Sequence, residues 1–269
     1  MAAAAVPSAI AAVADSQSLA ADAFKRLYPD QYFSRFLADG IRPDGRTLGR
    51  ARATSIGLGA ISVADGSALV RVGNTTALAA VKLDLQRPAD SSPDRGSVAF
   101  NVEVAPFSSA DWRPGKAPEL VSFVSERLSQ IMGSGSPRPP LDLTQLCIAV
   151  GKACWAAEVS VYILNADGSV LDTVLLAVVA ALSSAVLPPI TTTSDGEVHR
   201  RTAAEEASAT GERDADLWKR IELDAVPLSL TCCLYGEHLL ADATAEEEAI
   251  ASSSVTVILD ETNMLHGKL

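Results

Sequence analysis

A chain of 269 residues, 48% hydrophobic and 20% charged, is long enough for one large or two small domains and can bury a core without disulfides or metals. Its net charge of −11 argues against a free-standing nucleic-acid binder, because neutralising phosphates needs clustered Lys and Arg; a subunit whose basic surface is local, or is completed by neighbours, stays open. The longest apolar run, 174–187, is too short to span a membrane and holds Ser183 and Ser184.

Residues 1–21 are Ala-rich, with no basic residue before Lys25 and with acidic Asp15 just inside. A secretory leader wants a basic start and a transit peptide wants arginines without acids, so this stretch reads as a poorly ordered tail. Apolar residues at helical spacing over 21–37 predict two short helices interrupted by Pro29. Arg42-Pro-Asp-Gly-Arg46 is turn chemistry. Strands are expected over 53–61, 67–72 and 75–83, joined by turns at 62–66 and Gly73-Asn74, a three-stranded meander. A polar loop at 87–96 leads to a strand at 97–104. An irregular stretch at 105–118 precedes a helix at 119–132, whose Leu120, Phe123, Val124, Leu128 and Ile131 form one apolar stripe.

The Gly/Ser/Pro-rich linker 133–140 divides the chain. Beyond it, strands are predicted at 146–150 and 155–164, then a turn at 165–168. Asp172 is placed to cap a helix over 173–186, which Pro188 and Pro189 stop. That helix is apolar almost all round and should be central and buried. Residues 190–218 are acidic and polar and read as a surface loop or partly disordered insertion. Two short strands around Pro227 are expected over 221–234. A strand, an acidic turn and a strand at 254–259 follow, and 263–269 has no strong pattern. The order of elements, strands then a helix on each side of the linker, gives an α+β chain with a pseudo-repeat, the halves at about 41–135 and 141–269 within one domain over 22–269.

Four cysteines, Cys147, Cys154, Cys232 and Cys233, include no Cys-x-x-Cys pair and no partnering His cluster, so a zinc site is not expected and buried free thiols are. His199, His238 and His266 accompany no Gly-x-Ser-x-Gly elbow, and there is no P-loop. No cofactor or metal is expected.

Four segments taken in order and spacing carry a resemblance: Arg42-Pro-Asp-Gly-Arg46; the run 64–76, ending Gly73-Asn-Thr-Thr76; the run 164–172, Leu-Asn-Ala-Asp-Gly-Ser-Val-Leu-Asp; and 240–248, Leu-Ala-Asp-Ala-Thr-Ala-Glu-Glu-Glu. From about residue 22 to 262 the chain resembles the RNase PH family, and within it the non-catalytic ring subunits of the eukaryotic RNA exosome. The resemblance implies an RNase PH-like fold: two pseudo-repeated βαβ-type halves with mixed sheets packed with helices. It implies a six-membered ring of RNase PH-like subunits under S1/KH-type cap proteins, with single-stranded RNA threading the pore, no membrane, and residence in nucleus, nucleolus and cytoplasm. Family members usually add a C-terminal helix beyond the point where this chain stops.

Active relatives hold phosphate with Gly-Thr-Arg before the second-half helix, where an anion can use the helix N-terminus. The matching stretch here is Ser169-Val170-Leu171, so Leu171 replaces the arginine, and Asp172 adds a negative charge. Active relatives also carry an acid in a Glu-Asp step and an Asp six residues later; Glu247 and Ser253 stand at those places. The acidic group Asp242, Glu246, Glu247 and Glu248 is read as a solvated loop. RNA contact, by the same resemblance, falls to Arg113, Lys116 and Arg127, since Ser122, Glu126 and Ser129 fill places where relatives often carry arginine; a plain surface role for Arg127 stands beside that reading. A ring subunit with no active site is thus expected, against two rivals: an active phosphate-dependent 3′–5′ exoribonuclease, and a binding module outside the exosome.

Overall fold

The computed structural model describes residues 21, 23–108, 119–133, 139–192, 198–200, 219–262 and 264–268. The chain divides into two compact units. The smaller takes the chain up to Ala51 together with Cys232–Ser254, and the larger takes Arg52–Thr231 together with the residues from Val255 on.

The larger unit is built on a six-stranded sheet. β1 (Thr54–Leu58), β2 (Gly66–Val72) and β3 (Thr75–Gln86) form the expected antiparallel meander. The tight turn between β2 and β3 needs Gly73, whose φ is +58, a value that few side chains tolerate. β4 (Ser97–Val104) and β5 (Cys147–Ala149) complete the sheet with the 13-residue β6 (Ala153–Asn165). The order is β1-β2-β3-β6-β4, with β5 also on β6. β4 runs parallel to β6 and every other pairing is antiparallel. β6, from beyond the linker, therefore separates β3 from β4. Alternation does the rest: Ala77, Ala79, Val81 and Leu83 on β3 and Trp155, Ala157, Val159, Val161 and Ile163 on β6 are all buried. β1 is exposed throughout, as an edge strand is.

In the smaller unit the two predicted N-terminal helical segments are present: 23–27 is helical, and α1 (Pro29–Ala38) starts with its proline at the first turn, where the missing N–H has no partner to lose. α2 (Glu119–Met132) has the predicted bounds, and Val124, Leu128, Ile131 and Met132 are its buried residues. Phe123, expected on the same stripe, is 41% exposed.

α3 (Val170–Ser184) is the central helix, with buried residues on every side. It starts three residues earlier than expected, at a left-handed Ser169 with φ 48. Asp172 thus sits inside the first turn and is not the cap. β2 can approach α3 closely because Gly66 has no side chain: a Cβ there would fall 2.6 Å from the Ala181 carbonyl oxygen and from Ala185 Cα.

Short pieces follow. β7 (Val186–Leu187) pairs with β10 (Lys219–Arg220), and β8 (Ile190–Thr192) pairs with β9 (Val198–Arg200). The described parts of the predicted loop 190–218, at 190–192 and 198–200, are thus strands, because cross-strand pairing supplies partners that a polar sequence does not advertise. Most of that segment lies outside the described residues. One strand, β11 (Leu228–Tyr235), replaces the two expected around Pro227, and the residue after Pro227 begins it. Its Cys232–Tyr235 stretch pairs with β12 (His238–Ala241) in the smaller unit. α4 (Ala245–Ile250) stands where an acidic turn was predicted. β13 (Ser253–Leu259) pairs with β14 (Leu265–Lys268), a strand that the sequence pattern does not announce. Among the described residues no helix is long and apolar enough to cross a membrane.

Candidate functional site

In the smaller unit the predicted surface acid Glu247 is 1% exposed. It is the partner of Arg42, which is 0% exposed. The guanidinium grips the carboxylate with two bonds: Arg42 Nε donates to Glu247 Oε1 at 2.9 Å, and Nη2 donates to Oε2. The remaining donors are spent on main chain, Nη1 on the Ala241 carbonyl at 2.7 Å and Nη2 also on the Asp242 carbonyl at 3.0 Å. A planar five-donor fork fits this arrangement and an ammonium would not. Asp242 turns its carbonyl inward by adopting φ 50, a strained conformation for a residue with a side chain. Arg46 adds a bond to the same carbonyl at 3.2 Å and lies 3.7 Å from the Asp242 carboxylate.

Glu247 has a second structural duty. Its Oε2 accepts from the Thr244 N–H at 2.9 Å, which closes a capping box at the start of α4. That box explains why an acidic run folds as a helix: three carboxylates fall in its first turn, near the positive end of the helix dipole. The solvated-loop reading is therefore corrected: Glu247 and Asp242 are buried, and Glu246, half-exposed, lies on α4 in an ion pair with Lys25 at 2.5 Å. Nearby, Cys233 is fully buried; burial, and after it the Glu248 carboxylate, pushes its thiol up to about 11. Ser253 is exposed at the first position of β13.

In the larger unit the turn before α3 is held by main chain and an arginine. Arg52 donates to the Asp167 carbonyl at 2.5 Å and the Gly168 carbonyl at 3.1 Å, and Thr75 Oγ1 donates to the Gly168 carbonyl at 2.8 Å. Leu171, which the resemblance sets where active relatives carry an arginine, is 7% exposed and belongs to the main hydrophobic core. Asp172 points to β11: its Oδ2 accepts from the Thr231 N–H at 2.7 Å and its Oδ1 from the Thr231 hydroxyl at 3.1 Å. The Thr231 hydroxyl in turn meets that of Thr256 at 2.8 Å. The carboxylate that was read as a cap is a tie between a helix and a strand.

Of the expected RNA-contact residues, Arg113 and Lys116 lie outside the described residues. Arg127 is half-buried on α2. Its Nη1 donates to Gln130 Oε1 at 2.7 Å, its guanidinium lies 5.2 Å from the Phe123 ring centroid, and its Nε is buried without a hydrogen-bond partner. The sequence marks Arg42 only as part of a turn motif, and its pairing with Glu247 was missed. The available cue was an arginine before Pro43 in a turn motif and an acid in a Thr-x-x-Glu box two hundred residues on, with nothing local to link them.

An RNase PH-type fold is thus the class this molecule defines. The 3′ exoribonuclease family's domain 1 matches residues 50–188 and its domain 2 matches residues 225–265, and the chain belongs to that family. It is 30% identical to exosome complex component rrp43 of Schizosaccharomyces pombe over 89% of this chain and 83% of that protein. It is 34% identical to exosome complex component Rrp42 of Methanopyrus kandleri over 83% of this chain and 77% of that protein. Among solved structures, a chain of the Archaeoglobus fulgidus exosome with RNA bound to the active site superposes with a TM-score of 0.72 at 26% identity, covering 93% of this chain and 87% of that one.

Proposed function

We propose that this chain is a non-catalytic subunit of a hexameric RNase PH-like ring in an RNA exosome, supporting 3′–5′ processing and degradation of RNA. Its partners are other RNase PH-like ring subunits and S1/KH cap proteins, and single-stranded RNA passes through the assembled channel. Its places of action are the nucleus, nucleolus and cytoplasm.

The observation that carries the loss of catalysis is the buried Leu171. Holding an inorganic phosphate needs a cation at the mouth of the α3 N-terminus, and an apolar side chain packed into the core supplies none. Glu247 reinforces this reading. A general base or metal ligand needs a lone pair facing substrate, whereas Glu247 is 1% exposed, with both oxygens accepting from Arg42 and one also from Thr244. Exposed Ser253 has no carboxylate to offer. Arg127 supports at most a minor RNA contact.

The test is phosphorolysis. Purified chain with single-stranded RNA and inorganic phosphate should release no nucleoside diphosphates, while affinity purification from its own cells should retain five other RNase PH-like proteins and three S1/KH proteins in near-equal amounts. Phosphate-dependent release of nucleoside diphosphates would establish the alternative, an active phosphate-dependent 3′–5′ exoribonuclease. Recovery without ring partners would remove the ring assignment.

A further inference from the structure

Four free cysteines lie in the described chain, and their placement is not equivalent. Cys232 and Cys233 are adjacent on β11, so their side chains leave opposite faces of the strand; Cys233 is fully buried and Cys232 only partly. Cys147 and Cys154 are instead directly opposed, on the antiparallel strands β5 and β6. Directly opposed residues in such a ladder project to the same face with Cα atoms about 4.5–5.5 Å apart, inside the range of roughly 4.4–6.8 Å that a disulfide spans. The pairing lies at a register shift between Cys147 and Ala149, where the extra residue gives β5 local freedom to adjust. Cys147 is half-buried, and Cys154 is 2% exposed with its Sγ donating to the Gln86 carbonyl at 3.4 Å. A negative charge on Cys147 also raises the Cys154 thiol, after the larger effect of burial, as proximity of the two sulfurs requires.

We propose that Cys147 and Cys154 form an oxidation-sensitive dithiol, a site for thiol–disulfide exchange with low-molecular-weight disulfides of the glutathione type. The Cys147 thiolate, the more accessible of the two, attacks one sulfur of oxidised glutathione, forms a mixed disulfide and releases one glutathione thiolate. The Cys154 thiolate then attacks the Cys147 sulfur, forms the intramolecular bridge and expels the second glutathione. Two protein thiols lose two electrons, and one oxidised glutathione becomes two reduced ones. Burial keeps Cys154 largely protonated and makes the second step slow near neutral pH. The bridge staples β5, and with it the 3-10 turn Leu143–Leu146, to the central strand β6.

The test uses the full chain with whatever subunits it carries, equilibrated in glutathione buffers of increasing oxidised fraction. Thiols are then alkylated under denaturing conditions and the protein is digested with trypsin. Cleavage after Lys152 separates the two cysteines, so a bridge leaves two peptides joined until reduction. The expected result is loss of alkylation at Cys147 and Cys154 together, with the joined peptides recovered, while Cys232 and Cys233 stay alkylated. Cys147→Ser abolishes the joined species, and Cys154→Ala arrests Cys147 one glutathione heavier. Full alkylation of both residues in oxidising buffer overturns the proposal. So does a wild-type chain that stops at the mixed disulfide, or one that bridges Cys232 and Cys233 first.

Discussion

The segment opening α4 and the segment opening α3 both begin a helix with a carboxylate in the first turn, and each carboxylate is consumed by structure in a different way. Glu247 is buried with a full countercharge, so its energetics are those of a closed ion pair. Asp172 accepts from neutral donors, the Thr231 N–H and hydroxyl, and these contacts are hydrogen bonds to a charged group. The difference matters for reading acids in a sequence. A carboxylate in an acidic run is no sign of chemistry when an arginine from a distant turn is bonded to both its oxygens.

The contrast makes a strong prediction at Arg42. Removing one partner of a buried pair strands the other charge, so Arg42→Ala should cost about 3–5 kcal/mol, whereas replacing both partners, in Arg42→Met with Glu247→Leu, should recover most of that loss. Denaturant titration of the three chains reads it; a double variant no better than the single would show that the polar contacts to Ala241 and Asp242, not the countercharge, dominate. At the other helix start the apolar residue matters more than the acid. Leu171→Ala should cost about 2–5 kcal/mol by emptying a core site, and Leu171→Arg should destabilise the fold without creating phosphate binding, measured by calorimetric titration with inorganic phosphate. Asp172→Ala should cost about 1–3 kcal/mol by orphaning the Thr231 N–H, and amide exchange at Thr231 should accelerate selectively.

A smaller effect comes from pH. Cys233 has its thiol raised from 9.0 to about 11, so between those values the unfolded chain releases a proton that the folded chain keeps. The contribution is therefore intact below pH 9 and is lost as pH rises toward about 11. Thermal melts should show a steeper alkaline decline for the parent chain than for Cys233→Ala. The least effect belongs to Arg127→Ala, which breaks an exposed hydrogen bond to Gln130 and a cation–π contact; stability should change by about 1 kcal/mol or less, and crosslinking of the assembled ring to single-stranded RNA should fall only slightly.

The RNase PH fold, the β1–β3 meander, β4, the bounds of α2 and the burial of α3 were all legible in the sequence, because period-two and period-3.6 patterns and turn glycines are local properties. The four motifs in order carried the family in the same way. What local pattern cannot carry is the partner of a side chain. Glu247 becomes a core residue and Asp172 becomes a tie to β11 only through contacts made far along the chain: Arg42 is 205 residues from Glu247. Charge in a sequence defaults to solvent because desolvating it is costly, and only the folded chain reveals where a guanidinium or a pair of donors removes that cost. The sequence thus determined the architecture and the family, and tertiary structure decided which of its charged residues face water and which hold the molecule together.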